Sequence, residues 1–379
     1  MNFSSRAKQS LKTFHYWFSA VLLLLLLPCL RRLNLPLNLD WAWFLFIQWL
    51  ALGVLSIFLA LLLYLIGFAT RESLSPVVNR FRRNPLKIVF FMIYFFVLWW
   101  SAGWFKSLVL TIDTIIIIEL RQELQGRFGQ TLKAVFVPGL YLFVGLLLVS
   151  AYNDIIVSLR FFAAGDVALN NADKWLLHGW TVSQLSHWAL QVLPFGFFRF
   201  LEFVYFGMFL QVGAAFILVA FYSGRKASLR FVGAVLTAYY LSLIVFYLWP
   251  SHGPYYLCAN HFSEFPRQLA SYATQKKYLH DAQSLWHHIH LSQLSFDFFI
   301  AFPCMHITQP LIALWFLRQW RRIVVVLVLY DIFLVAAIVL LEWHYVVDVL
   351  AGVPLALLSI AMVDGENLWP RRRPLSAEI

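Results

Sequence analysis

Segment 302–352 opens on FPCMH (302–306) and closes on EWHYVVDVLAG (342–352). Between the two motifs lies an apolar run, 323–341, long enough to cross a bilayer. Each motif stands where an apolar run begins, so both are expected at one membrane–water boundary. His344 and Asp348 are four residues apart, one turn apart on the same helix face. A carboxylate so placed can hold an imidazole in one tautomer and stabilise its charged form. His306 reaches the same boundary from the start of the preceding span. Two histidines of different helices meeting over one carboxylate point to phosphoryl transfer, one ring attacking phosphorus and the other protonating the leaving oxygen.

Composition places these motifs in a membrane. Of 379 residues, 61% are hydrophobic and 12% charged, and mean hydropathy is +0.74, values that require several bilayer-spanning helices. Sixteen Trp suit interfacial belts. A net charge of +11 would fit a nucleic-acid binder, but the basic residues stand in short loops between apolar runs. That is the pattern of membrane orientation and anionic-lipid contact, and it excludes nucleic acid as the partner. Cys29, Cys258 and Cys304 make no disulfide framework.

Along the chain, the run 15–30 reads as a retained anchor, because no small-residue cleavage site follows it. A second span covers 41–70, and the basic loop 71–87 reads as cytoplasmic. The run 90–120 fits either one long span or a short re-entrant hairpin. Six further spans are expected at 135–151, 190–222, 231–249, 300–317, 323–341 and 345–363. The basic loops 225–230 and 318–322 and the tail 371–373 fall on one side with the N-terminus, which the positive-inside rule makes cytoplasmic. His306, His344 and the long loop 251–299 fall on the opposite, periplasmic, lumenal or extracellular face. NNADKWLLHGW (170–180) reads as a short amphipathic helix along the interface.

FPCMH and HYVVDVLAG resemble the paired motifs of the type 2 phosphatidic acid phosphatase superfamily. They look most similar to its branch of inositol phosphorylceramide and sphingomyelin synthases, which carries FPS(x)H and HYxxDxxxG. The resemblance implies an all-α polytopic membrane protein: an N-terminal membrane extension (1–132), a six-helix core (133–369) and a basic tail (370–379). It implies His344 as nucleophile, Asp348 as its orienting partner and His306 as general acid. It also implies a lipid phosphate or phospholipid as substrate, with no cofactor and no metal. Three positions depart from the family pattern. Cys304 replaces the phosphate-binding Ser, Ile338 stands where phosphatase members carry Arg, and no KxxxxxxRP is present. In the synthase branch a D-x-x-L-x-G element precedes the second core helix; here Asp173, Leu176 and Gly179 stand at altered spacing.

Other polar residues carry weaker signals. Cys304 can place a thiol near a phosphate oxygen, or be a small buried residue with no role. His252, in WPSHGPYY (249–256), is either part of a turn leaving the membrane or a phosphate or headgroup ligand. His261, His280, His287, His288 and His290 crowd one loop at a spacing that matches no standard zinc pattern, and are expected to be solvated. Asp331, mid-span, is expected either to pair with a His or a hydroxyl in the bundle or to line the site from below. Asp113 and Asp154, near span ends, are expected to face water. Hydrolysis and headgroup transfer share a first half-reaction, so the motifs leave both open. A non-catalytic lipid-binding or scaffold member of the same fold is the alternative of a different class. A transporter would need polar residues paired across many spans, and few are present.

Overall fold

A computed structural model describes residues 13–32, 128–159, 164–257, 268–286 and 300–365. The expectations for 41–70, 71–87, 90–120, the tail 371–373, Asp113, Cys258, His261, His287, His288 and His290 lie outside the described residues. Within them the chain is all helix: α1 Phe14–Arg32, α2 Phe128–Leu159, α3 Ala164–Leu176, α4 Val182–Val192, α5 Phe195–Leu248, α6 Pro254–Leu257, α7 Ala270–Trp286, α8 Met305–Leu317, α9 Arg321–Leu340 and α10 Val346–Asp364. Four stretches, Ala134–Leu159, Phe195–Leu248, Arg321–Leu340 and Val346–Asp364, are long and apolar enough to cross a membrane. Phe14–Leu26 and Met305–Leu317 are shorter apolar helices.

Helix α5, 54 residues, would be about 81 Å long if straight, far beyond a hydrocarbon core of about 30 Å. It breaks at Gly224, whose φ of 74° and ψ of −177° are open only to glycine at little cost. Phe216 and Phe231 stand fifteen residues apart, about 22 Å on a continuous helix. Their rings nevertheless lie 6.1 Å apart, so the two halves fold back on each other as a hairpin. Gly224 alone makes this turn, and the basic residues at 225–230, expected in a loop, lie on the helical arm that resumes after it. At the same end Arg230 pairs with Asp364 at 2.7 Å, and Trp315 Nε1 donates to the other oxygen of Asp364.

The α5 hairpin is the centre of the bundle, with α2, α8, α9 and α10 packed on it. Val325, Leu329 and Ile332 on α9 and Leu350 and Leu357 on α10 point outward. Such an apolar exterior is what a lipid solvent demands. Helices α3 and α4 and the link between them project Trp175, Trp188 and Trp180, the first of them 82% exposed, as interfacial aromatics. A capping box starts α4: Gln184 N donates to Thr181 Oγ1 at 3.1 Å, and Thr181 N to Gln184 Oε1 at 2.9 Å.

The structure corrects several sequence expectations. The amphipathic helix begins at Ala164, six residues before the stretch read from sequence. The long loop 251–299 contains α6 and α7, and His280 lies on α7. Asp154 is fully buried on α2 instead of facing water, because the end of that helix packs inside the bundle. Asp331 accepts from an amide, Gln211 Nε2 at 2.8 Å, which ties α9 to α5.

Candidate active site

The two motifs meet through their backbones. Cys304 N donates to Asp348 O at 3.1 Å, and Thr308 Oγ1 donates to Gly352 O at 3.0 Å. A Cβ on Gly352 would stand 2.7 Å from Cys304 O, so the final glycine of HYVVDVLAG is what lets α8 and α10 approach this closely. Ser251 adds a third strand of contact: its carbonyl accepts from Ala301 N at 3.1 Å and its hydroxyl from Phe302 N at 3.1 Å.

This framework brings His306 and His344 together. His306 Nδ1 and His344 Nε2 are 2.9 Å apart. His344 Nδ1 lies 2.9 Å from Ala301 O and 3.4 Å from Asp348 Oδ2. A carbonyl can only accept, so His344 Nδ1 carries a hydrogen and Nε2 is the atom that either shares a proton with His306 or offers a lone pair. Asp348 supports this tautomer from slightly farther away, and its Oδ2 also accepts from Tyr345 N at 2.9 Å. Burial works against charge on His344, but the Cys304 sulfur and the Asp348 carboxylate outweigh it and raise its pKa to about 10. His306 is held flat by Tyr205, stacked on it at 4.7 Å, and Tyr205 stacks in turn on Trp343 at 4.8 Å. Cys304 is a free, fully buried thiol at the N-cap of α8.

His344 sits in a short link between α9 and α10. Ile338 O accepts from both Trp343 N and His344 N, at 3.0 and 3.1 Å, and Glu342 turns the chain with a φ of 60°. Ile338 itself is fully buried, so this position contributes a carbonyl to the turn and an apolar side chain to the core.

Two aspartates of α3 brace the site from outside. They are seven residues apart, hence on one helix face, and both are fully buried. Asp173 caps α10, its two oxygens accepting from Val346 N at 2.8 Å and Val347 N at 2.9 Å. Asp166 accepts from His252 N at 3.0 Å and Gly253 N at 2.8 Å, which holds the turn after α5. Burial raises Asp166 to about 8 and Asp173 to about 6, against the backbone donors that lower them. Asp166 was not singled out in the sequence, though its spacing from Asp173 on an amphipathic helix was a usable signal. Tyr205 gave none, being one aromatic in a long apolar run.

A cavity of about 90 Å³ opens onto this arrangement, lined in part by Tyr205, His252, Tyr278, His306, Trp343 and His344. His252 is thus brought to the same space as the histidine pair, and burial lowers its pKa to about 4, leaving it neutral. Among the described residues no Arg, Lys, Asp or Glu lines the cavity. Cys304, His306 and His344 also place one potential metal-ligand atom each within 4.8 Å of one another.

An all-helical membrane bundle with a buried histidine pair over a carboxylate is the class that fold and site define. Residues 168–362, just over half the chain, match the PAP2 superfamily, and the protein belongs to it. Members of this superfamily are phosphatases or phosphotransferases, which supports a lipid phosphatase-like function in general. The match begins within α3 and leaves α1 and α2 outside it. No curated protein and no solved structure matches the chain.

Proposed function

We propose that this protein is an integral membrane phosphotransferase or phosphatase acting on a lipid-linked phosphate through a phosphohistidine at His344. The observation that carries the reading is the direct 2.9 Å contact between His306 Nδ1 and His344 Nε2, with His344 Nδ1 fixed by Ala301 O and Asp348. One proton between the rings couples both roles: the raised pKa of His344 holds it on Nε2 at rest, and its passage to His306 makes the acid and exposes the His344 Nε2 lone pair. His344 attacks phosphorus, the bond to the leaving oxygen breaks, and His306 gives its proton to the departing alkoxide. Water or an alcohol then attacks the phosphohistidine, His306 takes the proton, and His344 leaves phosphorus. Asp348 and Ala301 O support the positive charge on His344 while the P–N bond exists. Cys304 and His252 are assigned to the phosphoryl group or headgroup.

Transfer is favoured over hydrolysis of a monoester. A phosphomonoester brings a charge of about −1.5 to −2, a diester only one negative charge. A cavity with no Arg or Lys among its described lining suits the diester, as does the motif similarity to the sphingolipid-synthase branch. The reading includes a six-helix core at 133–369 behind a membrane extension, with both termini cytoplasmic and the site on the opposite face. The basic turn at Gly224 and the Arg230–Asp364 pair lie at the other end of α10 from His344, which supports that orientation.

The test uses purified protein in mixed micelles of lipid phosphates and phospholipids, following inorganic phosphate and new phospholipids for wild type and His344→Ala. A headgroup-exchanged lipid that vanishes in the variant supports transfer, and phosphate release that vanishes supports hydrolysis. No His344-dependent product would favour a non-catalytic lipid-binding or scaffold role, the reading to which Cys304 and Ile338 lend weight. In a weak enzyme Cys304→Ser should raise turnover; in a scaffold it changes nothing.

A further inference from the structure

Cys304 gives the site a chemistry that phosphoryl transfer does not use. A sulfur and one ring nitrogen from each of His306 and His344 lie within 4.8 Å of one another, Cys304 and His344 buried and His306 half-buried. A tetrahedral zinc holds sulfur at about 2.3 Å and imidazole nitrogen at about 2.0–2.1 Å. Small side-chain rotations bring three such ligands onto one ion, and the cavity lined by His306 and His344, with Cys304 buried behind them, supplies the open fourth position and the way in. The second observation concerns the atoms behind the ligands. His344 Nδ1 donates to Ala301 O at 2.9 Å and faces the Asp348 carboxylate at 3.4 Å. That is how metal-ligating histidines are oriented, with the free lone pair on the opposite nitrogen. A serine at 304 would offer no soft ligand; a thiolate selects thiophilic cations.

We propose that Cys304, His306 and His344 form a binding site for a thiophilic divalent cation such as zinc or cadmium, which competes with the phosphoryl group for His344 Nε2. Competition rests on the proposed phosphoryl chemistry; cation binding does not, so the two can fail separately.

The full chain carries three cysteines, so a Cys29→Ser/Cys258→Ser double variant keeps Cys304 as its only thiol. Cadmium is titrated into this variant in micelles and followed by the ultraviolet thiolate-to-metal charge-transfer band, to which the histidine-rich loop is silent. The band should saturate at one cadmium per chain, be displaced by zinc, and be lost in His306→Ala and in Cys304→Ser made on the same background. Should the double variant misfold, the difference in band between wild type and Cys304→Ser reads the same quantity. A folded protein without the band, or a band that survives His306→Ala, overturns the site. Orthovanadate, as the phosphoryl probe, at ten times its own dissociation constant should weaken apparent cadmium affinity about tenfold. Unchanged affinity with an intact band overturns the competition alone.

Discussion

Replacing Gly352 by Ala tests whether the close approach of α8 and α10 sets the histidine geometry. The new Cβ would stand 2.7 Å from Cys304 O, 3.2 Å from Thr308 Oγ1 and 3.4 Å from Ile307 Cβ. Carbon and carbonyl oxygen rest at about 3.3 Å, so the helices must part by about 0.6 Å. The Thr308 hydroxyl bond to Gly352 O, 3.0 Å in the native protein, would then stretch to about 3.6 Å and be lost. Overpacking costs about 1–3 kcal/mol and the lost bond about 1 kcal/mol, while the helix propensity of Ala returns up to about 1 kcal/mol. The net loss is about 1–4 kcal/mol. The same movement carries the Cys304–His306 end of α8 away from His344 and Asp348. Displacements of this size at reacting groups lower rates about ten- to a hundredfold. Gly139→Ala is the control, because its Cβ meets only Phe216 at 3.7 Å and should be neutral or stabilising by up to about 1 kcal/mol. Thermal unfolding in micelles and turnover on the lipid that the micelle panel identifies are the two readouts. Wild-type stability and turnover in Gly352→Ala, or equal harm from Gly139→Ala, would refute the reasoning.

Asp173→Ala should lower stability by about 1–3 kcal/mol, since two buried N–H groups at the start of α10 lose their acceptor; Asp173→Asn, which keeps one acceptor, should lie between it and wild type in both melting temperature and kcat. The raised pKa values of Asp166 and Asp173 mean that the folded protein keeps protons the unfolded chain releases near the ordinary 3.8. Their contribution to stability is therefore complete below about pH 4 and is lost as pH rises through about 6 for Asp173 and about 8 for Asp166. Melting temperatures between pH 4 and 8 should fall for this reason, and Asp166→Asn should flatten the upper part of the slope; an unchanged slope in that variant would show that another group is responsible.

The membrane-spanning helices and the paired motifs are legible in the chain itself. A span must be a long apolar run, because lipid satisfies no backbone group, so hydropathy reports it directly. His344 and Asp348 are legible as a closely spaced pair, although His344 precedes the Tyr345 N-cap of α10 and meets Asp348 across the entry to the helix instead of along one helix face. Other features are not local, and only the folded bundle decides them. The turn between the two arms of α5 is legible, since the basic stretch 225–230 parts two apolar runs, but the break at Gly224 and the meeting of Phe216 with Phe231 are not. Asp154 looks like a span-end residue facing water and is buried, because burial depends on what packs around a helix end. Asp331 finds Gln211 across the bundle, a partner 120 residues distant. The site divides in the same way. Residue types at 302–306 and 342–352 determine which groups can do chemistry. Which atoms face each other depends on contacts among α3, α5, α8 and α10. These include Ala301 O on His344 Nδ1, Tyr205 on the His306 ring and Asp173 on the start of α10. Sequence determines local periodicity and chemical identity; directions and distances between remote residues arise only when helices pack, since each is a property of two surfaces meeting.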